Sequence, residues 1–136
     1  MTNTASLHTM KEDHLEFADP AEDIRGHKVL DKDGRHIGKV DGLVVDDDEH
    51  KVRFLKVATG GFLGLSQTRF LIPVDAITAI DDLDRLVQVD CSREHVAAGP
   101  GYDPDLLNHV NAVLDYYGTS PYWSVGYLYP GYPYYL

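Results

Sequence analysis

The chain has 136 residues, with 12 basic and 22 acidic side chains and a formal charge of −10, which suits one domain with tails. That acidity opposes binding to a phosphate backbone, no run of ~18 apolar residues offers a membrane-spanning helix, and no apolar core marks a secretion signal at the N-terminus. The single cysteine, Cys91, excludes an intramolecular disulfide and a cysteine-rich zinc centre, so a reducing, cytoplasmic setting is expected.

Residues 1–22 are polar, with no clear apolar period, and read as a flexible arm outside the core, with one helical turn around Lys11–Phe17. From Ile24 to Cys91 the texture is all-β: six short apolar runs are separated by turn signals. The runs are His27–Leu30, Ile37–Val45, Lys51–Ala58, Arg69–Val74, Ala76–Ile80 and Leu86–Cys91. Asp31-Lys32-Asp33-Gly34 and Asp46-Asp47-Asp48-Glu49 are acidic turns between them. Gly38 and Gly42 inside the second run mark bends of the kind a small barrel needs. Strict alternation in the third run sets Val52 and Phe54 on one face, with Arg53, Leu55 and Val57 on the other. Pro73 cannot donate to a ladder and belongs at a strand end. In the last run Val87, Val89 and Cys91 share a face.

Helical texture follows. Ser92 is an N-cap for a short turn that Gly99-Pro100 stops. Within 99–118, Asp103-Pro104 opens an amphipathic helix with Leu106, Val110, Val113 and Tyr117 on its stripe, and Gly118 closes it. Residues 119–136 form a tail rich in Tyr and Trp. All nine tyrosines lie at or after Tyr102, and no Lys or Arg follows Arg93. Three prolines, at 121, 130 and 133, forbid a regular helix there.

Motifs that suggest chemistry fail on spacing or context. Asp31–Gly34 lacks the ligand count and flanking helices of a calcium loop. The acidic tip at Asp46–Glu49 reads as a solvated turn guarding strand edges. His27, His36 and His50 read as separate surface histidines rather than zinc ligands. Gly60-Gly61-Phe62-Leu63-Gly64-Leu65 lacks the Gly-Lys-Ser/Thr ending of a phosphate loop. Cys91 reads as an inert core thiol, and no GxSxG elbow accompanies Ser92. No catalytic residue, metal or cofactor is expected.

The β region carries, in order, Asp23-Ile24-Arg25-Gly26, Asp33-Gly34 with Ile37-Gly38-Lys39-Val40-Asp41, Val44-Val45-Asp46 and Val52-Arg53-Phe54-Leu55. Gly60-Gly61-Phe62-Leu63-Gly64 and Leu71-Ile72-Pro73-Val74-Asp75-Ala76-Ile77 follow. In these stretches the chain resembles the PRC-barrel family over residues 23–98. This small barrel occurs in the reaction-centre H subunit, at the end of a ribosome-maturation factor, and in stand-alone bacterial and archaeal proteins. Ser92-Arg93-Glu94 running into a Tyr-Asp-Pro segment is similar to the stand-alone, stress-protein-like branch. The resemblance implies an all-β barrel of about six strands and a platform for other proteins rather than an enzyme. The aromatic tail lies outside that pattern.

Together these features imply a cytoplasmic adaptor or scaffold that self-associates, as a dimer or larger, and contacts an unidentified protein partner. Its expected interaction residues are Phe62, Leu63 and Leu65 on the loop, Leu106, Val110, Val113 and Tyr117 on the helix, and Tyr122, Trp123, Tyr127 and Tyr129 on the tail. Direct nucleic-acid contact and a membrane role are not expected. The alternative is a small-ligand module for an aromatic or quinone-like ring, or an accessory in ribosome or RNA processing.

Overall fold

The computed structural model describes residues 7–10, 23–46, 51–59 and 68–130. Among the described residues there are seven strands: β1 (Leu7–Met10), β2 (Lys28–Leu30), β3 (His36–Asp46), β4 (Lys51–Thr59), β5 (Thr68–Pro73), β6 (Ile77–Asp81) and β7 (Leu86–Val89). Two short helices follow, α1 (Arg93–Ala97) and α2 (Val110–Tyr116). The sheet runs β5-β4-β3-β2-β7-β6, antiparallel except for the β2–β7 pair. β5 and β6 stand at opposite ends of that path yet are joined by one 3-10 turn, Val74–Ala76. The chain itself therefore ties the two ends of the curled sheet together, as in a small barrel.

β3 is the long strand, and its two edges are used differently. One edge pairs with β4 from Lys39 to Asp46. The other pairs first with β2, over His36–Lys39, and then with β1, over Leu43–Asp46. The N-terminal arm expected to stay outside the fold thus supplies a seventh strand at Leu7–Met10. It satisfies the second half of an edge that three-residue β2 is too short to reach. The helical turn expected at Lys11–Phe17 lies outside the described residues.

The inner core is built from Ile24, Val29, Leu43, Leu55, Val57, Ile72, Val87 and Val89, all fully buried. A second apolar cluster lies on the outer side of β3, β4 and β5. It joins Val44, Phe54 and Leu71 to Val110, Val113 and Leu114 of α2. Two register irregularities make this possible. Asp41 has no partner in the β3–β4 register, and neither does Arg53, so each strand carries one bulged residue. The Arg53 bulge breaks the alternation expected for β4. Val52, Leu55 and Val57 turn inward together, whereas Phe54 joins the outer cluster.

The sequence reads one helix across 99–118; the chain makes two pieces. Asp103 caps a 3-10 turn, Pro104–Asn108, by accepting from the Asp105 N–H at 2.8 Å. His109 then leaves helical geometry (φ −135°, ψ 37°) before α2 begins. Asn and His are weak helix formers, and the Asn108 amide bonds locally to Asp105 at 3.3 Å. The expected caps form elsewhere. Ser92 Oγ accepts from the His95 N–H at 3.0 Å. At the end of α2 the Gly118 N–H donates to Asp115 O (3.1 Å) and the Thr119 N–H to Leu114 O (2.9 Å), with Gly118 at φ +67°. That pair of bonds is a Schellman motif.

Two polar residues expected in water are buried. Asp46 is the last residue of β3 rather than part of a solvated turn, and it is 5% exposed. His27 is also buried, with Nε2 3.0 Å from Asp82 Oδ1. Strand pairing carries both inside: β3 runs one residue past the expected end at Val45, and the His27 carbonyl accepts from the Val40 N–H at 2.9 Å.

Candidate functional site

The outer face of β4 is where the barrel meets the C-terminal segment. The bulge aims Arg53 outward, where its guanidinium lies 3.2 Å from Asp46 Oδ2. The same guanidinium sits 4.4 Å from the Tyr122 ring centre and 5.6 Å from that of Tyr129. Lys51 stands 5.1 Å from the Tyr129 ring centre, and Lys56 stands 4.6 Å from that of Tyr102. Three cations on one strand thus each meet a ring of the C-terminal segment. Such contacts gain about 0.5–2 kcal/mol each, the most where the cation is desolvated, as at Arg53 and Lys56.

Hydrogen bonds fix the same segment. Tyr129 Oη donates to the Val52 carbonyl at 3.0 Å, and Tyr127 Oη donates to Asp75 Oδ2 at 2.8 Å. Tyr122 and Trp123 pack edge to face, with centroids 4.8 Å apart. Burial raises the Tyr122 phenol to about 12, Asp46 adding to the rise while Arg53 opposes it. Burial likewise raises Tyr127, reinforced by its bond to Asp75. Both phenols are neutral throughout the physiological range, and Tyr127 donates to Asp75 in that form.

At α1, Tyr116 Oη donates to the His95 carbonyl at 2.5 Å, and its ring stacks on the His95 imidazole at 4.2 Å. A polar cavity of about 770 Å³ opens beside this contact, between the end of β7 and the tail. Cys91 lines it, but burial and the nearby Asp90 and Asp31 carboxylates push its thiol up to about 11. It therefore stays protonated at neutral pH and lacks nucleophilic character. Among the described residues, no group of three or more His, Cys, Asp or Glu is arranged to hold a metal ion.

The residues singled out from sequence divide into three groups. Phe62, Leu63 and Leu65 lie outside the described residues. Val110 and Val113, expected as interaction residues, are fully buried inside the chain against Phe54 and Leu71. Their apolar area is consumed in covering the chain's own sheet. Leu106, Tyr117, Tyr122, Trp123, Tyr127 and Tyr129 are half-buried, and all pack against the barrel or its outer cluster. Sequence reasoning missed Lys51, Arg53, Lys56 and Asp46. Their signal was faint: three cations in one apolar strand of an acidic chain whose last 43 residues carry none.

A family model for the PRC-barrel domain matches residues 18–96. The match spans more than half of the chain, and the chain belongs to the PRC-barrel family. A search among curated proteins finds no match. The helical and aromatic segment beyond residue 96 lies outside the family match. Among the described residues, no helix is long and apolar enough to cross a membrane.

Proposed function

We propose that this chain is a non-enzymatic, cytoplasmic PRC-barrel adaptor that associates with itself and mediates protein–protein contact. One observation carries this reading. The tail is held by Tyr122, Tyr127 and Tyr129, yet it presents Val125 and Leu128 to solvent at 105% and 84% exposure. Apolar side chains on a segment already fixed in place lose little entropy on binding, so they suit a recognition surface. Leu83, 96% exposed at the tip between β6 and β7, is a second apolar point of contact. The barrel's role in this reading is to hold the tail rigid.

The test is light scattering coupled to size exclusion on the full chain and on a Val125→Ser/Leu128→Ser double variant. The full chain is expected as a dimer or larger. Loss of two aliphatic anchors weakens association by at least about tenfold and shifts the variant toward monomer. A monomeric full chain, or a variant with unchanged mass, overturns the self-association reading.

A further inference from the structure

The cavity between β7 and the tail shares Tyr127 and Leu128 with the adaptor surface, but its remaining, polar walls point to a ligand. We infer that it is a binding site for a small, neutral, polyhydroxylated molecule, a sugar or a polyol. Its volume of about 770 Å³ falls in the range of small-molecule sites. Its two walls come from distant parts of the chain and are locked to each other. Tyr127 of the tail donates to Asp75 of the barrel at 2.8 Å, and the Schellman bonds set the path of Gly118 and Thr119. The cavity is therefore formed before any ligand arrives.

The chemistry of the lining selects the ligand class. Asp90 and the second oxygen of Asp75 offer acceptors; Lys32 and the hydroxyls of Thr119 and Ser120 offer donors. The Asp90 backbone is pinned by its N–H donating to Ala76 O at 2.8 Å, which fixes where its exposed carboxylate starts. Tyr117 adds an aromatic wall. Hydroxyl groups both donate and accept, so a polyol can satisfy both kinds of wall group at once. An anion meets two carboxylates against one ammonium. A cation meets the Lys32 ammonium and leaves the Thr119 and Ser120 hydroxyl donors without an acceptor. An apolar ligand would leave those wall groups unpaired, at a cost for each.

The test is a titration of the full chain followed by amide chemical shifts. Glucose and maltose are the probes; putrescine and citrate are the cationic and anionic comparators. Melting temperature is not the readout, because sugars stabilise any fold by exclusion from its surface. Saturable shifts confined to Ser92, Thr119, Ser120 and Gly126 are expected with a sugar. Asp90→Ala removes an exposed acceptor and should weaken them about tenfold or more without altering the melting temperature. Ser120→Ala, a smaller change, should weaken them less. The inference fails if neither sugar gives saturable shifts, or if both variants bind as the parent does. It also fails if putrescine or citrate binds there more tightly than either sugar.

Discussion

Asp31 joins two separate parts of the barrel through one carboxylate. It is fully buried, and its carboxylate accepts from the backbone N–H groups of Asp33 (2.9 Å), Arg35 (2.8 Å) and Arg93 (3.0 Å). The Arg35 guanidinium bridges from it to Glu94. One side chain thus ties the β2–β3 turn to the start of α1. Burial alone would raise this carboxyl, but the three N–H donors and the Arg35 charge outweigh it and hold the group at about 2. The folded-state value lies below the unfolded one of about 3.9, so the stabilisation is present above pH ~4 and is lost as pH falls toward ~2. Asp31→Asn should destabilise the protein at neutral pH and flatten the acid limb of its stability curve, as measured by urea unfolding at several pH values. Arg53 permits a second prediction. Its removal alone leaves Asp46 buried with one fewer cation, at a cost of about 3–5 kcal/mol. The double variant Arg53→Met/Asp46→Leu should be less destabilised than Arg53→Met, and a double-mutant cycle by chemical denaturation measures the difference.

At the scale of elements, glycines separate two kinds of constraint. Gly118 ends α2 at φ +67° with open space around it. Gly118→Ala should cost about 1 kcal/mol, the penalty of a Cβ in left-handed backbone. Gly38 lies in β3 where a Cβ would fall 2.0 Å from the Ala58 carbonyl oxygen. That atom is backbone and cannot swing away, so Gly38→Ala must part β3 from β4. It should cost well over the 1 kcal/mol expected at Gly118, and thermal unfolding of the two variants ranks them. Leu114, 2% exposed in the outer cluster, gives the matching test of α2. Leu114→Ala should cost about 2–5 kcal/mol and alter the fluorescence of Trp123, which packs against the same cluster.

For the whole molecule, the C-terminal segment is a layer of the structure rather than an appendage. It covers Val44, Phe54 and Leu71, which a bare barrel would leave in water. Its tyrosines also set the alkaline limit of stability. Tyr117, Tyr122 and Tyr127 all titrate above their ordinary range, chiefly because burial disfavours the charged phenolate. Their folded-state values are raised, so the stabilisation is complete below pH ~10 and is lost as pH rises beyond it. Tyrosinate absorbance should therefore appear late and in step with loss of the Trp123 signal, in one cooperative alkaline transition. An early, gradual phenol titration with the Trp123 signal intact would show the tail undocked.

By itself the sequence determined the elements whose causes are local. The six apolar runs, the turn at Asp31–Gly34, the caps at Ser92, Asp103 and Gly118, and the non-helical tail each depend on residues a few positions apart. Only the tertiary structure decided what depends on distant partners. β1 forms because β3 outruns β2, and Arg53 turns outward because it has no partner between the Val44–Phe54 and Val45–Val52 pairs. Val110 and Val113 become core residues because the outer face of β3–β5 is apolar where α2 crosses it. An amphipathic stripe records that a face must be covered. Whether the cover is the chain's own sheet or another molecule is set by packing between segments roughly half the chain apart, which periodicity does not encode.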